Sequence, residues 1–458
     1  MIGTAKKKTS HQSKAPSAAQ AHKARLAKVF GAVNIGSFRI SAMIIGETEN
    51  GDLLVLGSGH RAAQGVKRGY VTDMRSATYA IRDAVERAEK NAGMSVNSVW
   101  ISCAGAGLTS DVSKVEIEIG GRRIEEDDVD HLLFAARDTI EPRGRTVLHA
   151  QPAHYTLDGA HGVANPRGLH AERLGVDVHV TLADGPPVRN LMEAVQGAHL
   201  EVEGVVASPL ASGYACLDEE ERDLGVALVE IGCDVTNVSV FAGGMLLGLR
   251  SVPMGSGSIT DAVASAFGIR RFQAERLKCV SGSAMASPSD HREMIPLFGP
   301  NDEGQETPAP GASVEATRGS DNTPRIARAE LVSVVTQNLS QLTNEIGKAL
   351  RSLGFSGAQS GQVVLTGGGA ELAGLADFAQ SALGMPVRIG RAPSLRGLPE
   401  AHATPGFTTL AGLCLYAADD PIDIRSMRGQ PSSVYKLGRN ESSPFAFGRL
   451  IRALREYF

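Results

Sequence analysis

Three apolar runs in this chain end in glycine, and the residues best suited to chemistry gather there. They are Val33-Asn34-Ile35-Gly36-Ser37, Val229-Glu230-Ile231-Gly232-Cys233-Asp234-Val235-Thr236-Asn237 and Leu365-Thr366-Gly367-Gly368-Gly369. Glycine adopts positive φ and carries no side chain, so a strand ending in glycine brings backbone N–H groups against phosphate oxygens. A single such turn is usually only a turn. Two that open the same strand–turn–strand pattern, with a third far downstream, make a stronger phosphate-binding pattern and suggest two related halves.

The elements that would position these turns are legible. Residues 29–47 read as a strand, a turn at Ile35-Gly36-Ser37 and a second strand; Gly225–Gly232, a turn and Asn237–Phe241 repeat the pattern. Tyr79–Ala92 has helical spacing, with Ile81, Ala84, Val85 and Ala88 on one face. Val99–Ala104 reads as a buried strand. The polar stretch 108–180 interrupts the first half and contains EIEI, a helix near 126–140, TVLHAQPAHYTL and VDVHVTL, which suggests an inserted mixed α/β unit. Residues 281–325 are rich in Ser, Pro, Gly, Asp and Thr and read as a flexible loop. A helix over 328–352 leads to the strand Gln362–Thr366, and residues 419–444 read as a tether.

At 458 residues the chain is long enough for several domains, and its net charge of −4 argues against a nucleic-acid binder with a general basic field. Residues 1–28 carry Lys6, Lys7, Lys8, Lys14, Lys23, Arg25 and Lys28 and no acid, with no apolar run behind them; this reads as a disordered basic tail rather than a secretory signal. The five cysteines, Cys103, Cys216, Cys233, Cys279 and Cys414, lack C-x-x-C spacing, which gives neither a zinc motif nor a disulfide framework and fits a reducing cytoplasm. No apolar run is long enough to span a bilayer. The last twelve residues, FGRLIRALREYF, place Phe447, Leu450, Ile451, Leu454, Tyr457 and Phe458 on one helical stripe flanked by Arg449, Arg452 and Arg455. Shape alone leaves two readings of that helix: it lies in a membrane interface, or it docks on the chain's own core.

The paired turns resemble the actin, heat-shock-protein-70 and sugar-kinase superfamily. The stretches RGYVTDMRSATYAIRDAVERAE, PAHYTLDGAHGVANPRGL, LGVALVEIG, AGG, DAVASAF, AERLK and VVLTGGGAELAGL narrow the resemblance to the FtsA family of bacterial cell division, over about 29–418. It implies an α/β, actin-like two-domain fold with duplicated mixed β-sheet halves around a nucleotide cleft. Domain 1 would comprise 29–107 and 181–222, with an FtsA-type subdomain inserted at 108–180. Domain 2 would comprise 223–418, with a small subdomain at 253–345 and a return helix at 405–418; the linker 419–444 would lead to a membrane-targeting helix at 445–458. The resemblance selects the membrane reading of that helix.

By resemblance, Gly36, Ser37 and Arg39 form the first phosphate loop, Gly232, Cys233, Asp234 and Thr236 the second, and Gly367–Gly369 the adenosine loop. Glu275 and Lys278 would meet ribose and base. The loops depart from the family pattern: Asn34 and Asn237 stand where carboxylates are usual, and Glu230 replaces a shorter aspartate. Carboxylates there hold hydrated Mg²⁺ and orient the attacking water, so Glu230, Asn34 and Asn237 are the remaining catalytic candidates, no residue would ligate a metal directly, and at most slow ATP hydrolysis is expected. Asp234 facing a phosphate oxygen at ~4 Å would be repelled by about 4 kcal/mol at an effective dielectric near 20. The implied partners are FtsZ, with Arg325, Arg328 and Glu330 as contacts, further copies in filaments, downstream division proteins and anionic lipid at the cytoplasmic face of the inner membrane. The competing expectations are a small-molecule kinase or phosphatase of the same fold and a pilus-assembly adaptor.

Overall fold

Two sheets of matching topology account for the duplicated pattern. The computed structural model describes residues 26–105, 107–299, 317–318, 324–356, 361–427 and 437–438. In chain order the first half contains β1 (Leu26–Ile35), β2 (Arg39–Thr48), β3 (Leu53–Ala62), the hairpin β4 (Val66–Lys67) and β5 (Tyr70–Val71), α1 (Met74–Ala92) and β6 (Ser98–Cys103). The insertion holds β7 (Thr109–Glu118), α2 (Glu126–Asp138), β8 (Thr146–Leu157), β9 (Ala160–Val163) and β10 (Arg173–Ala183). The chain returns through α3 (Gly185–Gly197), β11 (Glu201–Ala207), α4 (Ser208–Cys216) and α5 (Glu219–Leu224). The second half contains β12 (Val226–Ile231), β13 (Thr236–Ala242), β14 (Met245–Val252), α6 (Ser256–Phe267), α7 (Arg271–Ser281) and β15 (Met294–Pro296). It continues with β16 (Thr317–Arg318), β17 (Pro324–Ala327), α8 (Arg328–Ser352), β18 (Gln362–Thr366), α9 (Leu375–Leu383), β19 (Val387–Ile389) and α10 (Thr408–Asp419), and β20 (Leu437–Gly438) comes last.

The first sheet runs β11-β6-β1-β2-β3 and the second β19-β18-β12-β13-β14. In each, an antiparallel meander of three strands is extended on its first strand by two parallel ones. This is the duplicated α/β architecture the sequence implied. Helix α1 buries Ala77, Ala80, Ala84 and Ala88 together with Ile81 and Val85. Its small face lets it sit close on β3, where a Cβ at Gly57 or Gly59 would come within 2.3 Å of the helix carbonyls of Ala88 or Ala84. Helix α10 leaves the second half and packs back on α4, β1, β2 and β6.

The inserted unit is an antiparallel sheet, β7-β10-β8-β9, with α2 over a core that includes Val129, Leu132, Leu174 and Val176. It interrupts the first half in sequence, yet β7 joins the second sheet through one pairing, Thr109 with Arg250 of β14. Its last strand runs to Ala183, past the expected boundary at 180.

Four sequence expectations need correction. The basic tail stops short of 28, because β1 begins at Leu26 and pairs with β2. Helix α1 starts at Met74 rather than Tyr79, since the Asp73 carboxylate accepts the Ser76 N–H and caps it. The stretch 281–325 is not loop throughout: β15 pairs with β17, and Asp290 is buried against Arg328 at 2.7 Å. The tether likewise begins later than 419. Ile424 is fully buried in the insert's core, the Arg425 guanidinium donates to Val147 O at 2.9 Å, and β20 pairs with β7. The expected terminal helix, 445–458, lies outside the described residues.

Candidate functional site

The three glycine turns converge between the halves. In the first, the Gly36 N–H donates to Arg39 O at 3.2 Å. In the second, the Gly232 N–H donates to Val235 O at 2.9 Å, while Gly232 O and Cys233 O accept from Ser256 and Gly257 at the start of α6. The third lies against the end of β12. Gly367 has φ +83°, and a Cβ there would stand 2.6 Å from Ile231 O; one on Gly369 would stand 2.3 Å from Ile231 Cγ2. These two glycines let the turn touch the second loop. Gly368 between them faces open space, with nothing within 4 Å of its Cβ position.

A fourth segment, to which the sequence alone assigns no role, joins the first two loops. The turn of the β4–β5 hairpin sends the Gly69 N–H to Ser37 Oγ at 3.4 Å and the Arg68 N–H to Asp234 Oδ2 at 3.0 Å. Its only sequence signal is a glycine in a short polar hairpin.

Glu230 does not face open cleft. It is 7 % exposed, and its carboxylate accepts from Ser208 Oγ at 2.6 Å, Ser212 Oγ at 3.3 Å, Asn237 Nδ2 at 3.1 Å and the Thr409 hydroxyl. Helices α4 and α10 can both reach it because they cross very closely at Gly412, where any side chain would collide with Ala211 O. Asn237 is equally committed: its amide also donates to Ser208 Oγ, and its carbonyl accepts from Ser251 Oγ at 2.5 Å. Asn34 Oδ1 accepts from Ser102 Oγ at 2.6 Å. The catalytic candidates are thus tied to neighbours, and Glu230 joins β12 to helices of the first half. The hydroxyls of Ser208, Ser212 and Thr409 were not legible beforehand.

Other candidates sit differently from their expected roles. Arg39 turns away from the first loop: Nη2 donates to Gly406 O at 2.9 Å, and the guanidinium lies 3.9 Å over the Phe407 ring. Burial lowers its pKa, with Glu371 opposing that shift. Glu371 in turn accepts the Gly406 N–H at 3.1 Å. Lys278 is buried and donates to Glu275 at 2.8 Å, Thr260 Oγ1 at 2.9 Å and Ser256 O at 3.4 Å, so it braces α6 behind the second loop. Burial raises the Glu275 pKa, but its bond and charge pairing with Lys278 outweigh this and hold the carboxyl below its ordinary value. The Cys233 thiol lies 3.8 Å from Arg271 Nη2; burial and Asp234 raise its pKa, so it stays protonated. Thr236 is fully buried. Arg328, expected at a partner surface, instead ties Asp290, Glu293 and Ser281 O together, while Arg325 lies in β17 and Glu330 in the first turn of α8.

A nucleotide fits this site unevenly. The third turn, with its open space at Gly368, suits an adenosine beside the braced helices α6 and α7. The phosphate end does not: Asp234 places a carboxylate between the loops. Among the described residues no three His, Cys, Asp or Glu side chains are placed to hold a metal.

Comparison with known proteins agrees with this architecture. Residues 105–182 match the SHS2 domain inserted in FTSA, and residues 227–412 match the family described as Cell division protein FtsA. The FtsA of Agrobacterium fabrum is 33 % identical over 413 residues, covering 88 % of this chain and 89 % of the relative. That of Rhizobium meliloti is 34 % identical over 442 residues, covering 94 % and 95 %, and that of Escherichia coli 28 % identical over 400, covering 86 % and 92 %. Among solved structures, one of the PilM-PilN type IV pilus biogenesis complex superposes with a TM-score of 0.58 at 16 % identity, covering 85 % of this chain and 98 % of that one. That likeness concerns the fold alone.

Proposed function

The chain belongs to the FtsA family of cell-division proteins, and from that premise we propose that it ties the FtsZ ring to the cytoplasmic face of the inner membrane at the division site. It does so as a polymer of actin-like subunits, each held by its terminal amphipathic segment. The inserted unit offers the surface for downstream division proteins, and the cleft binds ATP, with Mg²⁺ carried on the phosphates. Arg325 and Glu330 remain the contacts for FtsZ.

The observation that carries this reading is the terminal stripe of Phe447, Leu450, Ile451, Leu454, Tyr457 and Phe458 beside Arg449, Arg452 and Arg455. Full burial of such side chains is worth ~1.5–3 kcal/mol each, so six of them half-immersed supply several kcal/mol. Each arginine adds about 1 kcal/mol near anionic lipid. That is reversible attachment for a single subunit, and a polymer presenting many tails converts it to firm attachment. No helix among the described residues is long and apolar enough to cross a membrane.

Against a small-molecule kinase or phosphatase stands the hydrogen bonding of Glu230 and Asn237, which leaves neither directed at a substrate. ATP turnover is therefore slow at most. The test is electron microscopy on anionic lipid monolayers with ATP, beside liposome co-sedimentation, for the full chain and for a deletion of 445–458. The full chain should coat lipid with filaments and the deletion should stay in the supernatant while folded. Equal co-sedimentation of the two proteins refutes the anchor.

A further inference from the structure

We propose that the Asp234 carboxylate is a built-in occupant of the phosphate end of the cleft. It bridges the halves through the Arg68 N–H, and a nucleotide phosphate must displace it to bind there. This rests on the nucleotide-binding reading above and adds what regulates that site.

The bond joins residues 166 positions apart, one in each half, at 3.0 Å. A carboxylate that merely capped its own loop would accept from a nearby amide; this one reaches across the cleft. The donor side is built to hold it. Arg68 and Gly69 have φ of +52° and +76°, two successive left-handed residues in a turn. A two-residue hairpin loop of this kind requires positive φ at both central residues, so the turn itself sets the Arg68 conformation. Behind the turn, a Cβ on Gly69 would come 2.4 Å from Gly105 Cα, so the hairpin is wedged in place. Its two consecutive amides reach one loop each, Gly69 to Ser37 and Arg68 to Asp234. Only the Arg68 amide meets an anion, and a bond from N–H to carboxylate is stronger than one between neutral groups.

The consequence follows from charge. Where glycine would leave the loop open, Asp234 supplies an intramolecular anion that already satisfies the Arg68 amide. A phosphate arriving there gains that amide only by expelling the carboxylate, and until it does so the two negative groups repel. Nucleotide binding then draws mainly on the adenosine end, and the halves stay bridged without a ligand.

Residue-resolved hydrogen exchange of the nucleotide-free full chain reads the bridge. In D234A the Arg68 amide should exchange about tenfold faster or more, while D234N, whose side-chain oxygen still accepts, should protect it nearly as well as the parent. Equal exchange in the parent and D234A overturns the bridge. Calorimetric titration with adenosine, ADP and ATP in Mg²⁺ reads the competition. The parent should bind all three alike, and D234A should bind ADP and ATP about tenfold tighter or more while adenosine stays unchanged. An unchanged ADP-to-adenosine ratio in D234A overturns the displacement. If neither protein binds any of the three, the nucleotide reading falls and takes the displacement with it, whereas the exchange measurement still decides the bridge.

Discussion

Replacing Glu230 removes one acceptor shared by four donors on α4, α10 and β13, and the size of the loss can be worked from their geometry. After Glu230→Ala, Asn237 Nδ2 keeps Ser208 Oγ at 3.2 Å, and Ser212 and Thr409 keep each other at 3.0 Å. The Ser208 hydroxyl proton and one of the other two are left without an acceptor in a fully buried place. Two unmet donors at ~1–3 kcal/mol each, plus a small cavity, give about 3–5 kcal/mol. Glu230→Gln differs, because hydroxyls can turn. With its oxygen toward Ser208 and Asn237 and its amide nitrogen toward Ser212 and Thr409, one donor rather than two is left unmet, because only one of those two hydroxyls can donate to the other. That unmet donor and the lost charge assistance, with no cavity, give about 2–3 kcal/mol. Trp100, the chain's one tryptophan, lies edge-on to Tyr416 of α10 at 6.1 Å, so its fluorescence during urea unfolding reports the helix that Glu230 secures. A loss below about 1 kcal/mol in Glu230→Ala, or equal losses in both variants, refutes the role of Glu230 as the link between the halves.

Gly368→Ala should leave the melting temperature unchanged and abolish adenosine binding by calorimetry, because its Cβ enters the open space. Gly369→Ala should lower the melting temperature, because its Cβ meets Ile231 at 2.3 Å. Burial pushes the imidazoles of His149 and His179 from 6.5 to about 3, so the unfolded chain binds more protons between those values. Stability is complete above pH 6.5 and falls below it by up to about 1.4 kcal/mol per pH unit for each histidine. Urea unfolding at several pH values should show that slope, and His179→Phe should roughly halve it. Ile424→Ala should cost about 2–4 kcal/mol, as for other fully buried isoleucines. It should also free the segment after α10 from the insert, seen as faster proteolysis near residue 424.

The sequence reading succeeded where structure is local and failed where it is not. Helix 328–352 and strand 362–366 emerged with their observed bounds because each carries an uninterrupted period between clear breakers. The glycine turns were legible because their backbone requirement is written in residue type. Asp290 was lost in a polar, proline-rich stretch because its partner Arg328 lies 38 residues on, and composition reports nothing about such pairs. Ile424 was a lone apolar residue with no period to mark it, yet it plugs the insert's core. The family resemblance places Arg39 in the first phosphate loop, and only the fold reveals that Gly406 and Phe407 hold its guanidinium. Glu230 suffered likewise: a carboxylate at a strand end reads as catalytic until the hydroxyls at 208, 212 and 409 are folded onto it.

These contacts bear on what a nucleotide can do to this molecule. A ligand shifts a conformational equilibrium only by the difference in its affinity for the two states. Here the chain's own carboxylates already hold segments around the cleft: Glu230 and Asp234 join the halves through α4 and Arg68, and Glu371 holds the Gly406 amide within the second half. A nucleotide therefore finds most closing contacts made and contributes little differential affinity at its phosphate end. On the proposed reading, control of assembly passes from the cleft to the lipid surface, where the tails raise local subunit concentration. Filament density on monolayers should then follow anionic-lipid content steeply and ATP only slightly. D234A should reverse that order, because removing the bridge leaves the phosphate end open for nucleotide to close.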